Sequence, residues 1–206
     1  MEFMAQVLPI PLPPVDVVRR LGEMLEPGVP RFILDAGCGT GRNAIHLAEL
    51  GHFVVGITND ANELTLAQQA AENVGVGKRC QFIRSDLRTE PIAGMFDVVL
   101  MNEVTHTMPK TESRAVLSKI INATKQGGLN VISGYVVRPG TANVTNTRAC
   151  FAPNELSDTY AHAGWDTIFY EILRRRIPAQ PTHLAWRHAE GNNLFTSQDN
   201  RLPAMD

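Results

Sequence analysis

The stretch Asp35-Ala-Gly-Cys-Gly-Thr-Gly-Arg-Asn43 constrains this chain more than any other. It follows Arg31-Phe-Ile-Leu34, a short apolar run that reads as a buried strand, and precedes Ala44-Ile-His-Leu-Ala-Glu-Leu50, which reads as a helix stopped by Gly51. Strand, glycine-rich turn and helix in that order open a nucleotide-type site in an α/β fold. Gly37, Gly39 and Gly41 let the backbone turn sharply and approach a ligand closely. The helix start adds N–H groups and a partial positive charge. Arg42 stands where G-x-G-x-x-G needs its third glycine, so the G-x-G-x-G spacing counts against a dinucleotide and a nicotinamide oxidoreductase. It favours a smaller ligand with a carboxylate end.

The rest of the chain alternates strands and helices. Residues 1–14, rich in proline, form an extended arm, and Val15 to Glu26 has the apolar spacing of an amphipathic helix ended by Pro27-Gly28. His52–Ile57 is a second strand, and a helix follows from Asp60, with Asp60 and Glu63 in capping-box spacing. Cys80–Arg84, Phe96–Met101 and Leu129–Val136 are further strands, and Thr111–Lys125 is a helix stopped by Gly127-Gly128. Arg138–Phe151 reads as a loop over the site and Pro153–Ala163 as a helix. Trp165–Ile172 and Thr182–His188 are two last strands, joined too tightly for a crossover and therefore antiparallel. Asn192–Asp206 reads as a loose polar tail. The expectation is a single domain, 1–206, with a mostly parallel sheet covered by helices on both faces.

In such a sheet, ligands sit beyond the C-terminal strand ends. Asp35 ends the first strand, where a carboxylate accepts from loop N–H groups or meets a ligand's amino group.

The glycine loop resembles the first motif of the class I S-adenosylmethionine (SAM) methyltransferases, an acidic residue followed by G-x-G-x-G. Within that superfamily the chain most resembles the small tellurite-resistance methyltransferases. Three stretches carry this: Leu34–Asn43, Gly127-Gly-Leu-Asn-Val-Ile132 and Phe151-Ala-Pro-Asn-Glu-Leu156. The resemblance covers roughly residues 15–190 and fades from Arg174 on. It implies a doubly wound, Rossmann-like, seven-stranded sheet, mostly parallel with an antiparallel last strand. It also implies SAM as cofactor and S-adenosylhomocysteine (SAH) as product, bound by Asp35, Gly37, Cys38, Gly39, Gly41 and Asn43.

Carried along the strand ends, the resemblance assigns further cofactor contacts to Thr58, Asn59, Asp86, Leu87 and Asn102. Thr58 departs from the family, which usually has Asp or Glu there to accept from both ribose hydroxyls. A hydroxyl lacks that charge-assisted pair, worth roughly 1.5–3 kcal/mol. Asn59, Asp60 or Glu63 is the candidate to make up the loss, and Thr58→Asp is expected to tighten SAM binding. Asp86 matches the residue that accepts the adenine amino group, with Leu87 offering its N–H to the ring.

SAM is an activated electrophile, so methyl transfer requires positioning and exclusion of water and no metal. The candidates around the acceptor are His106, Tyr135, Arg148 and Arg187; His183 shares a face with Arg187 if the last strand is as read. A soft chalcogen anion such as tellurite or selenite, or a thiol, suits the arginines. Two other readings stand: an O- or N-methyltransferase of a small organic metabolite, and a non-catalytic SAM-binding protein.

The net charge of −2 and pI near 6.3 give no electrostatic case for nucleic acid. No run of about 18 apolar residues crosses a membrane, and the start lacks a secretory pattern. Three cysteines, Cys38, Cys80 and Cys150, follow no metal spacing and fit a reduced, cytoplasmic compartment. The expected partner is thus a small-molecule acceptor, with the chain a monomer or homodimer.

Overall fold

The structure, a computed structural model, describes residues 12–136, 151–174 and 189–197. The chain divides into two compact units, Met1–Glu90 and Pro91–Asp206. Seven strands and five α-helices are described, and the mostly parallel α/β character expected from the alternation is present.

The first unit runs α1 (Asp16–Met24), β1 (Phe32–Ala36), α2 (Arg42–Glu49), β2 (Phe53–Thr58), α3 (Ala61–Asn73) and β3 (Cys80–Arg84). The strands lie in the order β3-β2-β1, all parallel. The register sets Asp35 beside Gly56 and Thr58 beside Arg84, so the C-terminal strand ends form one level edge. Ile33, Leu34, Leu47, Val54 and Ile57 are buried there. Burying apolar side chains of this size contributes roughly 1.5–3 kcal/mol each. A second cluster joins α2 to α3, with Ile45, Ala70 and Ala71 under Val76, Cys80 and Phe82.

The second unit runs β4 (Phe96–Asn102), α4 (Lys110–Asn122), β5 (Thr124–Val136), α5 (Glu155–His162), β6 (Trp165–Arg174) and β7 (Ala189–Ser197). β4 and β5 are parallel, whereas β7 runs antiparallel to both β5 and β6, between which it lies. Three local expectations change here. The helix expected to run to Lys125 ends at Asn122, and β5 begins at Thr124. Gly127-Gly128 therefore does not stop a helix. It belongs to a bulge in which Lys125–Gly128 sit opposite Asp97, with Lys125 Nζ 2.8 Å from Asp97 Oδ1.

The tail expected from Asn192 is in part strand β7, whose sequence Ala-Glu-Gly-Asn-Asn-Leu-Phe-Thr-Ser carries little apolar signal. A strand paired on both sides is specified by its neighbours' backbone as much as by its own propensity. The strand expected at Thr182–His188 and the loop expected over 138–150 lie outside the described residues, as do residues 1–11 of the arm.

The polar residue of each resemblance stretch has a holding task. Asn43 Oδ1 accepts from Val15 N–H at 3.1 Å, tying the start of α1 to α2. Asn130 is fully buried; its Oδ1 accepts from Thr124 Oγ1 at 2.7 Å and its Nδ2 donates to Tyr160 Oη at 3.1 Å, joining β5 to α5. Glu155 accepts from Ala152 N–H and pairs with Lys110 and Arg114 of α4. Partial burial pushes its carboxyl up, but these three partners outweigh that and hold it below its ordinary value.

Candidate active site

The glycine loop is built by β1 delivering Asp35 to the edge and β2 capping the turn. Ile57 C=O accepts from both Gly37 and Cys38 N–H at 2.8 Å, and Cys38 C=O accepts from Gly41 N–H at 2.9 Å. Those bonds fix both ends of the turn, leaving Gly39-Thr40, both half-buried, as its outward part. The glycines differ in task. A Cβ on Gly41 would come within 3.1 Å of Ala67 Cβ and of the Phe82 ring, so Gly41 serves close packing. A Cβ on Gly39 would meet nothing nearer than the Glu63 carboxylate at 3.9 Å, so Gly39 keeps space open beside that carboxylate. Both have positive φ.

Asp35 is 1% exposed. It accepts from Ala44 N–H, yet burial dominates and pushes its carboxyl up to about 7, with Arg42 opposing. Its Oδ2 has no hydrogen-bond partner among the described residues. A buried carboxylate with an unfilled oxygen is suited to a cation or amino group. Cys38 is buried beneath the loop and burial raises its thiol far above the ordinary value, so it acts as a small packing residue.

At the second strand end, buried Thr58 donates from Oγ1 to Glu63 Oε2 at 2.9 Å. Asp60 caps α3, accepting from Asn62 N–H at 2.7 Å and Glu63 N–H at 3.0 Å. Only half of the expected capping box forms, because the Glu63 side chain turns to Thr58 and Asp60 N–H donates to Thr58 Oγ1 instead. Asn59 is exposed, with its carbonyl accepting from Arg84 Nε. After β3, Asp86 is held by Arg88 in a two-pronged pair of 3.0 and 2.7 Å, and Arg88 N–H adds a third bond. Its carboxylate therefore already has a cation, which an adenine amino group would have to share. Leu87 beside it is buried.

In the second unit, Asn102 ends β4 with Oδ1 accepting from Ser133 Oγ at 3.0 Å. Glu103 follows in a left-handed conformation, φ 55°, its N–H donating to Ser133 C=O. Such a conformation in a non-glycine residue costs about 1 kcal/mol or more. It turns the chain into the short 3-10 turn Thr105–Thr107 and brings His106 edge-on to Tyr135 of β5, ring centroids 4.5 Å apart. Phe151 N–H donates to Tyr135 C=O, and the Phe151 ring packs where a side chain on Gly134 would lie. Two of the four acceptor candidates are thus together; Arg148 and Arg187, with His183, lie outside the described residues.

Residues 33–128 match the family model described as Methyltransferase domain. A putative methyltransferase of Geobacillus sp. (strain WCH70) is 31% identical over 115 residues, which are 55% of this chain and 45% of that protein. The tRNA 5-carboxymethoxyuridine methyltransferase of Escherichia coli (strain K12) is 32% identical over 105 residues, 50% of this chain and 40% of that protein. The crystal structure of TehB from Haemophilus influenzae matches 88% of this chain and 61% of that chain with a TM-score of 0.75 at 18% identity, a likeness of fold. Residues 33–128 are thus similar to SAM-dependent methyltransferase domains, and the fold is like that of such enzymes. The chain spans about half the length of the curated relatives it matches.

The glycine loop and Thr58 are strand-end residues, as the sequence predicts. It missed the Arg88 grip on Asp86, for which the spacing Asp86-Leu-Arg88 was the available signal. Asn43, expected as a cofactor contact, also ties down α1 through its side-chain oxygen. The strained Glu103 left no sequence mark, since nothing in its side chain favours φ above zero.

Proposed function

We propose that the protein is an enzyme that transfers the SAM methyl group to a small-molecule acceptor, and that its two units are halves of one catalytic domain. The matching family model, which runs across the boundary between the units, supports the second point. The observation that carries the reading is the pairing of an open Gly39 with the unfilled, buried Asp35 oxygen in one strand–turn–helix. These residues fit SAM: the Gly39-Thr40 backbone takes its methionine end and Asp35 its amino group. Glu63 or Thr58 takes the ribose, and Asp86 with Leu87 the adenine. SAM supplies a methyl group on a positively charged sulfur that leaves as a neutral thioether.

The protein's share is positioning. A nucleophile held about 3–3.5 Å from the methyl carbon, in line with the S–C bond and out of water, needs little other help. His106, steadied by Tyr135, takes the proton from an acceptor O–H, N–H or S–H as the new bond forms. A chalcogen oxyanion or thiolate carries no such proton; for it, Arg148 and Arg187 supply the charge. The three resemblance stretches and the 23% identity to the probable TehB of Haemophilus influenzae over 68% of this chain support the chalcogen acceptor. The His106–Tyr135 contact supports a neutral O- or N-acceptor as second reading.

Labelled SAM offered with selenite, tellurite, a thiol and a phenol separates them. Loss of selenite or tellurite turnover alone in Arg148→Ala and Arg187→Ala supports the first. Equal, minor losses on every acceptor overturn the anion role. A folded chain that binds SAH and methylates nothing is the non-catalytic alternative.

A further inference from the structure

The first unit leaves part of one sheet face without a covering layer. Its strands β1, β2 and β3 are parallel, and parallel strands are ordinarily covered on both faces. Helices α2 and α3 cover one of them, where Ile45, Ala70 and Ala71 pack with Cys80 and Phe82 of β3. Side chains alternate along a strand, so Gln81 and Ile83 belong to the other face, and both are exposed. Val54 pairs with Cys80, which puts Phe53 and Val55 on that other face, and Phe32 joins them as the partner of Phe53. No helix lies between the end of β3 at Arg84 and the start of β4 at Phe96, where a crossover usually supplies such cover. Nearer the ligand edge the same face is closed, with Leu34, Ala36 and Ile57 buried. The open part is its N-terminal half, away from the glycine loop.

Across that half runs a row of three side chains. Phe32 of β1, 56% exposed, stacks on Phe53 of β2, 40% exposed, with ring centroids 5.6 Å apart. Arg79, which leads into β3, stands on the other side of Phe53, its guanidinium 5.1 Å from that ring's centroid. Its Nη1 donates to Gly51 C=O at 2.7 Å, which holds it there. The row thus has a ring at one end, a cation at the other and a ring between. Turned about a two-fold axis through its middle and laid on itself, it brings each cation onto the other copy's end ring and sets the two middle rings together. The two Arg79 groups then stand at opposite ends, so like charges do not meet. An acidic partner would match Arg79 alone, and a nucleic-acid base would need an open face on Phe53, whose two sides Phe32 and Arg79 already cover. We propose that this half-face is the contact of a homodimer, in which a second copy packs its own Phe32–Phe53–Arg79 row against it about a two-fold axis. Val55, Gln81 and Ile83 flank the row and widen the contact. The contact leaves the glycine-loop edge open and does not depend on the SAM reading.

The test is sedimentation equilibrium on the full chain over a wide concentration range, with circular dichroism to check each variant's fold. The unaltered chain should move from the monomer mass towards twice that mass as concentration rises. Phe53→Glu sets two carboxylates together at the axis and should weaken dimerisation more than about a hundredfold, as loss of a central anchor does. Arg79→Ala, at the exposed edge, should weaken it about five- to thirtyfold, through the loss of two cation–ring contacts. Phe32→Glu puts a carboxylate against the second copy's Arg79 and should weaken dimerisation less than Phe53→Glu, whereas Phe32→Glu combined with Arg79→Glu should abolish it. Equal losses in Phe32→Glu and Phe53→Glu overturn the two-fold match. A dimer that keeps its strength in Arg79→Ala, or in a folded Phe53→Glu chain, overturns the inference. An unaltered chain that stays monomeric throughout also overturns it, and leaves the face to a different occupant.

Discussion

The glycine-loop edge of the first unit and the β4–β5 end of the second are built on opposite plans. In the first, the polar side chains past the strand ends close on groups a few residues away: Thr58 to Glu63, Asp60 to Glu63, Asp86 to Arg88. In the second, the decisive contacts join distant parts of the chain: His106 to Tyr135, Asn102 to Ser133, Phe151 to Tyr135. The lesson is that the first edge has its side chains set by near neighbours in sequence, whereas the second end depends on packing between distant parts of the chain.

The sharpest way to break that contrast is at the glycine loop. Gly39→Val puts a branched side chain beside Glu63, in space the ligand needs, at a positive φ that valine resists. SAH affinity should fall more than about a hundredfold by calorimetry, with helix content kept. Gly41→Ala should do the reverse, lowering the unfolding temperature because of Ala67 and Phe82 while the folded fraction still binds. If Gly39→Val binds normally, the loop is not the cofactor edge.

A middle-sized effect belongs to the second unit. His106→Ala should lower kcat/KM about ten- to a hundredfold on a proton-bearing acceptor and leave SAH affinity within about twofold. A parallel loss of SAH affinity would show that the two ends are not independent.

The smallest effect is one of pH. The Asp35 carboxyl is raised from 3.8 to about 7 in the folded chain. Between those values the folded form holds a proton the unfolded form has released. Stability without ligand is therefore fully present below the lower value and is lost as pH rises through about 7. Asp35→Asn should flatten that slope, read as unfolding temperature at pH 5 and pH 8. An ammonium group on the ligand favours the ionised carboxylate, so SAH should stabilise the unaltered chain more at pH 8 than at pH 5. Equal shifts at both values would remove Asp35 from the amino-group role.

How far the sequence was readable follows from the same division. Local chemistry showed: the glycines, the Asp60 cap and the strand ends are where the pattern put them. The polar strand β7 and the bulge at Lys125–Gly128 were hidden, because both are set by neighbouring strands rather than by their own residues. Asn43, Asn130 and Glu155, which lie in the stretches that carry the family resemblance, hold elements together. They report architecture faithfully.

The position of β7 bears on how the protein is made. In the first unit each strand is laid beside the one before it, so that sheet can grow as the chain leaves the ribosome. In the second, β6 is synthesised before β7 but joins the sheet through it, and β5 pairs with β7 along most of its length. Until residues 189–197 emerge, one side of β5 stands as an open edge and β6 as an unplaced strand. That interval, set by chain order alone, is when a nascent copy is most exposed to pairing with a neighbour on the same message.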